Sequence, residues 1–494
     1  MSLATRALAI ADQMFGVFFS GNSGPVSRVG TGFEAASGGK RAQQLRRMPA
    51  LNSTITASNP RLRSLARGLA ANNPLAAAGI EAWVSGVAGD GIKPQSAHPD
   101  PAKRQEINAL FDLWTDRADS DGLLDFYGLQ GLVMKRVATD GEAFLVMQHD
   151  PDSGELRLRM LDPDQISADL TRDLGNSARI IAGVEFDEQG RRVAYHVNID
   201  RPGLPLSVLH NPTVRLAAED VIHVFRVDVP GQIRGTTWLA SVAMRLAGLD
   251  VANDALLMRL QIASMLCGFV VTTPGGERVP AAFSGGVEDG TGGIVDGLEP
   301  GSMRVLDQDQ DVRFTTPPAI GAESNEFMRA TGREIAAGLG VPYELLTGDL
   351  SQANYSSTRT SLVEFRRRCE SVQHGLVVFQ FLRRVWRKWL TIEVLSGRLE
   401  APGFERDPER YLAAKWMPPR ALWIDPLKDA QAEAVAIASG LMSRRQAVAA
   451  RGYDLEALDR EIAEDRERAA ALGLVFPGDA APAARAVEGQ EAAA

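Results

Sequence analysis

The stretch GVPYELLTGDLSQANYSSTRTSLVEFRRR, residues 340–368, decides how the rest of the chain is read. A run with apolar residues at helical spacing, NEFMRATGREIAAGLG (residues 325–340), precedes it, and another helical run follows. Between them lie Pro342, Gly348, Asp349, Asn354, Tyr355 and the serines 351, 356 and 357. Packed helices need only a few residues to connect them, so a link this long is usually functional or disordered. Tyr343, Leu345, Leu346 and Tyr355 make it too apolar for a disordered linker, so it reads as an ordered loop with a task.

The flanks extend this reading in both directions. Downstream, the periodicity predicts one long helix from residue 358 to about 396, further helices from about 410, and a disordered Ala-rich tail, GDAAPAARAVEGQEAAA. Upstream, residues 273–316 are dominated by Gly, Pro, Asp and short apolar runs and read as a small β-rich excursion. Residues 236–272 precede that excursion without an internal Pro and read as a second long helix, ~50 Å if continuous.

Residues 58–148 read as helices. Asn59 and Asn73 stand before Pro60 and Pro74 as at helix starts, and RQEINALFDLWTDRA and DFYGLQGLVMKRVATDG continue the pattern. Hairpins come next. EAFLVMQH and ELRLRMLD flank a Gly-bearing turn, IIAGVEFD and RRVAYHVN flank Glu188, Gln189 and Gly190, and DVIHVFR follows as a further strand. Strands and helices do not alternate, so the fold class is α+β, mainly helical, with antiparallel strands, and not a doubly wound nucleotide-binding fold.

Composition sets outer limits. The chain has 494 residues, 45% apolar and 23% charged, which is ordinary globular usage. A net charge of -9 argues against a protein that holds nucleic acid by bulk attraction. Cys267 and Cys369 lie far apart in helix-like segments, which suits core placement in a reducing setting. The run ALAIADQMFGVFF is too short and too interrupted to span a bilayer and reads as an amphipathic helix in an N-terminal arm, residues 1–57.

No catalytic or metal-binding constellation stands out. There is no P-loop, no H-E-x-x-H and no nucleophile elbow. ASGGKR places Lys40 after two glycines but lacks the leading Gly and the hydroxyl. Asp307, Asp309 and Asp311 have calcium-loop spacing, but Val312 stands where the turn Gly is needed and Pro318 where the bidentate Glu belongs. His196 and His223 alternate within strands, and the cysteines have no metal-like spacing. The expectation is no enzyme, no cofactor and no metal. Arg366, Arg367, Arg368, Arg383, Arg384, Arg387 and Lys388 interleave with Phe379, Phe381, Trp386 and Trp389. Helical apolar spacing makes this a buried stripe flanked by charges first, and a nucleic-acid surface second.

Four stretches together resemble the portal proteins of tailed bacteriophages, of the lambda-like family: GEAFLVMQHD leading to LRLRMLDPDQI, IIAGVEFDEQGRRVAYHV, VIHVFRVDVPGQIRGTTWLASV, and IAAGLGVPYELLTGDLSQANYSSTRTSLVEFRR. DGLEPGSMRVL fits as well, and the resemblance spans roughly residues 25–470. It implies a ring, in that family usually a dodecamer, at one vertex of the phage head, through which double-stranded DNA is packaged and ejected. Residues 58–235 would be the wing, 236–272 and 317–339 the stem helices, 273–316 the clip, 340–357 the tunnel loop, 358–400 the spine helix, 401–475 the crown and 476–494 the tail. The implied partners are the terminase large subunit, head-completion and connector proteins, and the major capsid and scaffold proteins. The implied place is the virion, after assembly in the host bacterial cytoplasm, with no membrane.

The tunnel loop then supplies the DNA-facing candidates Tyr343, Glu344, Asp349, Gln352, Asn354 and Tyr355. Ser356 or Ser357 is expected to cap the spine helix through its hydroxyl. Asp250 and Asp254, one helical turn apart, are candidates for stacked acidic rings in the channel, or else pair with Arg245 or Arg259. The alternative function is a non-catalytic nucleic-acid-binding protein that uses the Arg-rich helix 358–396.

Overall fold

The computed structural model describes residues 50–199, 212–264, 268–272, 287–288, 294–295, 310–314, 322–419 and 426–474. Two compact units are distinguished, Met1–Thr54 and Ile55–Ala494. Of the first, residues 50–54 are described and open the first helix. Residues 1–49 of the N-terminal arm, most of the expected clip and the tail lie outside the described residues, while residues 51–57 of the arm are helical.

In chain order, α1 (Leu51–Asn72) and α2 (Pro74–Val87) lead to β1 (Lys93–Ser96), α3 (Pro101–Thr115) and α4 (Phe126–Asp140). Strands β2 (Glu142–His149) and β3 (Leu156–Leu161) follow, then β4 (Arg172–Gly175), β5 (Ala178–Ile181), β6 (Val184–Phe186), β7 (Arg192–Asn198), β8 (Thr213–Ala217) and β9 (Val221–Phe225). Helix α5 (Ala243–Ser264) precedes β10 (Gly268–Thr272), β11 (Val287–Glu288), β12 (Ile294–Val295) and β13 (Gln310–Phe314). Helix α6 (Ala322–Leu339), the short α7 (Tyr343–Thr347), α8 (Tyr355–Val372), a π-helical segment (Gln373–Leu382) and α9 (Arg383–Leu395) come next. The chain continues through α10 (Glu409–Leu412), β14 (Ala414–Met417), α11 (Pro426–Ala438), α12 (Arg444–Ala450) and α13 (Leu455–Ala471). The fold is thus α+β and mainly helical, as expected.

Several helix ends follow from local chemistry. Asn73 caps α2 by accepting from the Ala76 amide, Asp100 and Asp125 cap α3 and α4, and Gly141 closes α4 in the left-handed region at φ 91°. Asn59 corrects the reading of a helix start. It lies buried inside α1, before Pro60, and its amide donates to the Gly235 carbonyl at 2.7 Å rather than to a cap. The long helix expected over 236–272 is also shorter. α5 spans Ala243–Ser264, ~33 Å. Before it, Trp238 N donates to the Ala138 carbonyl and Leu239 N to Thr237 Oγ1, and residues 238–242 form turns. After it, residues 268–272 pair antiparallel with residues 310–314 as β10 and β13. The helix expected over 358–396 starts three residues early, and its middle is π-helical.

The expected hairpins form, β2 with β3 and β6 with β7, and IIAGVEFD divides further into β5 and β6 at Ala182 and Gly183, both at positive φ. β4 to β8 make a sequential antiparallel meander, and β3-β2-β9 make a second sheet. β2 is buried along Glu142–Met147, and its alternation divides two cores. Ala143, Leu145 and Met147 face the large helical core, and Phe144 and Val146 face the smaller core under β7. The edges of this sheet are covered. Residues 118–120 hydrogen-bond along β3, while on β9 the Gln380 amide brackets Phe225 and Arg384 donates to the Val221 carbonyl and, in the turn before the strand, to that of Ala218. The pair β1–β14 was not legible in sequence, since KPQS and AKWM show no alternation.

The large core is aromatic at its centre. Phe111 packs against Trp114, Phe126, Trp386 and Trp389 with centroids 4.9–5.5 Å apart. α9 therefore enters the middle of the subunit, and α8 runs out from it toward residues 340–354.

Candidate functional site

The segment after α6 is held at its root. Gly340, at φ 72°, ends the helix, with Gly340 N donating to the Ala337 carbonyl and Val341 N to that of Ala336. The Leu339 carbonyl accepts from Trp83 Nε1 at 2.9 Å, and the Gly340 carbonyl from Arg368 Nη1 at 3.2 Å. Trp83 in turn contacts Trp238 and Phe365 edge-on, with centroids 4.9 and 5.2 Å away. Gly79 and Gly86 give α2 a flat face. A side chain at Gly79 would meet Leu339 and Leu346, and one at Gly86 would meet Cys369 and Phe365. Burial pushes the Cys369 thiol up to about 12, so it acts as a core residue; Cys267 lies outside the described residues.

Residues 340–357 are not a plain loop. Pro342 introduces the one-turn helix α7, whose Leu346 is buried, and Gly348 closes it at φ 70°. Tyr343 is half-buried, with the Arg333 guanidinium 5.6 Å from its ring centre, so it supports the segment more than it lines it. Glu344 is half-buried as well. Asp349 latches the next turn. Its carboxylate accepts from Ser351 N at 3.0 Å and from the Tyr343 hydroxyl at 3.4 Å, with Arg329 Nε 3.6 Å away. The Ser351 hydrogen bonds and Arg329 hold that carboxyl below the usual range. Leu345 is exposed on α7, and beyond the latch the tip is exposed at Leu350, Gln352 and Asn354.

The cap expected at Ser356 or Ser357 is a correction. α8 begins at Tyr355, and Asn354 is its cap, accepting from Ser357 N at 2.8 Å. Ser357 instead donates its hydroxyl to the Asn354 carbonyl at 3.1 Å, and Ser356 is exposed in the first turn. The β-region backbone of Asn354, φ -111°, is the geometry a cap needs, and neither serine has it.

Asp250 and Asp254 differ. Asp250 is half-buried and accepts from Asn73 Nδ2 at 2.9 Å on both oxygens, so it clamps α5 to the capped end of α2. Asp254 is exposed. Arg245, offered as a partner for either, pairs with Glu334 on α6.

A second constellation was missed. Glu142, fully buried, accepts from Arg63 at 2.8 Å, from Arg234 at 2.7 Å and from Gly235 N at 3.0 Å, and lies 3.0 Å from His223 Nε2. Arg234 also donates to the Ile166 and Ala182 carbonyls. Burial alone would raise the Glu142 carboxyl; Arg234 and His223 outweigh it and hold it well below the carboxylate range. Burial lowers His223 to about 4, so the ring is neutral near pH 7. Chemically this ties α1, β2, β9 and the turn after Arg234 together, and every charge in it is paired. A lone Glu opening an apolar strand was its sequence signal.

The Arg-rich helix is largely occupied. Trp386, Trp389 and Phe381 are buried, Arg384 donates to the Val221 carbonyl of β9, Arg387 pairs with Glu409 and Lys388 with Asp220. Among the described residues no group of three His, Cys, Asp or Glu is placed to hold a metal ion, and no helix is long and apolar enough to cross a membrane. Asp311 lies in β13, while Asp307 and Asp309, like Lys40, lie outside the described residues.

Residues 38–373 match the model of a family described as phage portal protein, lambda family. A probable portal protein of Halomonas phage phiHAP-1 is 26% identical over 390 residues, covering 77% of this chain and 73% of that protein. Portal protein B of Escherichia phage lambda is 27% identical over 387 residues, covering 70% of this chain and 69% of that protein. A solved neck structure of an empty gene transfer agent particle superposes with a TM-score of 0.48 at 15% identity, over 87% of this chain and 96% of that one.

Proposed function

Because the chain belongs to the lambda family of phage portal proteins, we propose that its copies form a ring, a dodecamer, at one vertex of a phage head, with double-stranded DNA passing along the axis during packaging and ejection. The observation that carries the channel assignment is the segment 340–354, fixed at its root and exposed at its tip. Trp83, Arg368 and Leu346 tie the root to the core, while Leu350, Gln352 and Asn354 stand in solvent at the tip. Such a loop presents side chains to a passing duplex without moving with it. A net charge of -9, repeated around a ring, repels phosphate and favours sliding over holding.

In this reading residues 273–316 dock the terminase large subunit and later the connector proteins, and the ring nucleates head assembly with the major capsid and scaffold proteins in the bacterial cytoplasm before residing in the virion. The subunit carries no chemistry of its own; ATP hydrolysis belongs to the terminase. Electron microscopy of the purified protein tests the proposal. A closed ring with an axial channel supports it, and a homogeneous monomer or dimer refutes it.

A further inference from the structure

α5 carries apolar residues on every side, yet its own subunit covers only one. Leu246 and Leu249, with Val242 just before the helix, face the core, while Met244, Val251 and Met258 are exposed by 82%, 68% and 62%. These three recur every seven residues and so form one straight ridge on the side away from the core. Exposed apolar stripes of this kind mark contact sites. A lipid is a poor occupant, since Arg245, Asp250, Asp254 and Arg259 interrupt the helix.

A complementary hollow lies on another side of the same hairpin. α5 and α6 meet tightly at one end, where Gly338 lies against Val242 and Arg245 pairs with Glu334. Toward the other end they leave a cleft of about 460 Å³, lined by Ala252, Ala255, Leu256, Arg259, Phe327 and Met328. Phe327 is 62% exposed at its rim. The ridge and the cleft lie about a quarter-turn apart around α5, because residues 252, 255, 256 and 259 share one helical face and 244, 251 and 258 share the next. Their charges are opposite: Asp254 flanks the ridge and Arg259 lines the cleft.

We infer that the occupant of the cleft is a second copy of this chain, with the Met244–Val251–Met258 ridge of one subunit seated between α5 and α6 of the next. Two different complementary faces on one hairpin make a head-to-tail contact, which builds a ring where the rotation closes and an open helix where it does not, never a two-fold dimer. The inference rests on the ring reading and deepens it by naming the contacting faces. Asp254 then points toward Arg259 of the neighbouring copy rather than into the channel.

Met258 stands at the height of the cleft, so the test is a disulfide between Met258→Cys and Phe327→Cys in the full-length chain. Both positions are exposed in the subunit, so folding tolerates the changes. Mild oxidation of the double variant gives a ladder of covalent multimers up to the ring size, and either single variant, which keeps the natural cysteines, gives none. Native mass spectrometry of the same samples reports assembly. Rings without a ladder overturn the inference and leave the ring reading standing. Monomers in the wild type overturn both. As a second variant, Val251→Asp with Met258→Asp shifts the assembly equilibrium of soluble, folded protein toward monomer; unchanged assembly counts against the interface.

Discussion

Acid should loosen the subunit through one residue, His223. Its ring is buried, stacked on Phe144 with centroids 4.1 Å apart and 3.0 Å from Glu142. Burial lowers it to about 4, from an ordinary value of 6.5. The unfolded chain therefore takes up the proton first as pH falls, and the folded state follows only near 4. The stabilisation is fully present above 6.5 and is lost as pH falls from 6.5 toward 4. A separation of about 2.5 units corresponds to ~3 kcal/mol, an upper figure because neighbouring groups relax. The perturbation is His223→Gln, whose amide can still donate to Glu142 but cannot titrate. The assay is urea unfolding, followed by tryptophan fluorescence, at intervals from pH 7.5 to 4. The stability difference between wild type and variant should narrow or reverse by about 3 kcal/mol across that window. Parallel pH profiles for the two proteins would refute the reasoning, since the slope would then come from other groups.

Three further outcomes follow from the geometry. Asn354→Ala should cost ~1 kcal/mol and speed hydrogen exchange in the first turn of α8, whereas Ser356→Ala should change little; equal effects would return the cap to the serines. Gly141→Ala should cost at least ~1–3 kcal/mol from its φ of 91° alone, and more because the new side chain would overlap the Thr236 backbone, so melting temperature and soluble yield should both fall. Deleting residues 280–295 should leave ring assembly intact and abolish terminase binding in a pull-down; retained binding would remove the docking role from that segment.

What was legible in the sequence was what local chemistry decides. The β2–β3 and β6–β7 hairpins announced themselves through alternation about Gly-bearing turns, and Asn73 marked the start of its helix. What was not legible depended on distant partners. Residues 236–242 look helical until Thr237 finds the Ala138 carbonyl, and residues 268–272 look helical until residues 310–314 lie beside them. Glu142 reads as a stray acid because its partners come from positions 63, 223 and 234. The cap was misplaced by two or three residues because Asn-Tyr-Ser-Ser offers three good capping side chains in succession, and only the backbone angle at Asn354 chooses among them. The loop itself was recognised by its length and composition, but its internal helix and the Asp349 latch were not.

The central claim is that residues 348–354 face DNA, and a photoactivatable cross-linker tests it most directly. It is placed in turn at Gln352, at Asn354 and, as a control in the β6–β7 turn, at Gln189, which is exposed. In packaged heads the loop positions should capture DNA and Gln189 should not. Capture at Gln189 with none at Gln352 or Asn354 would contradict the account.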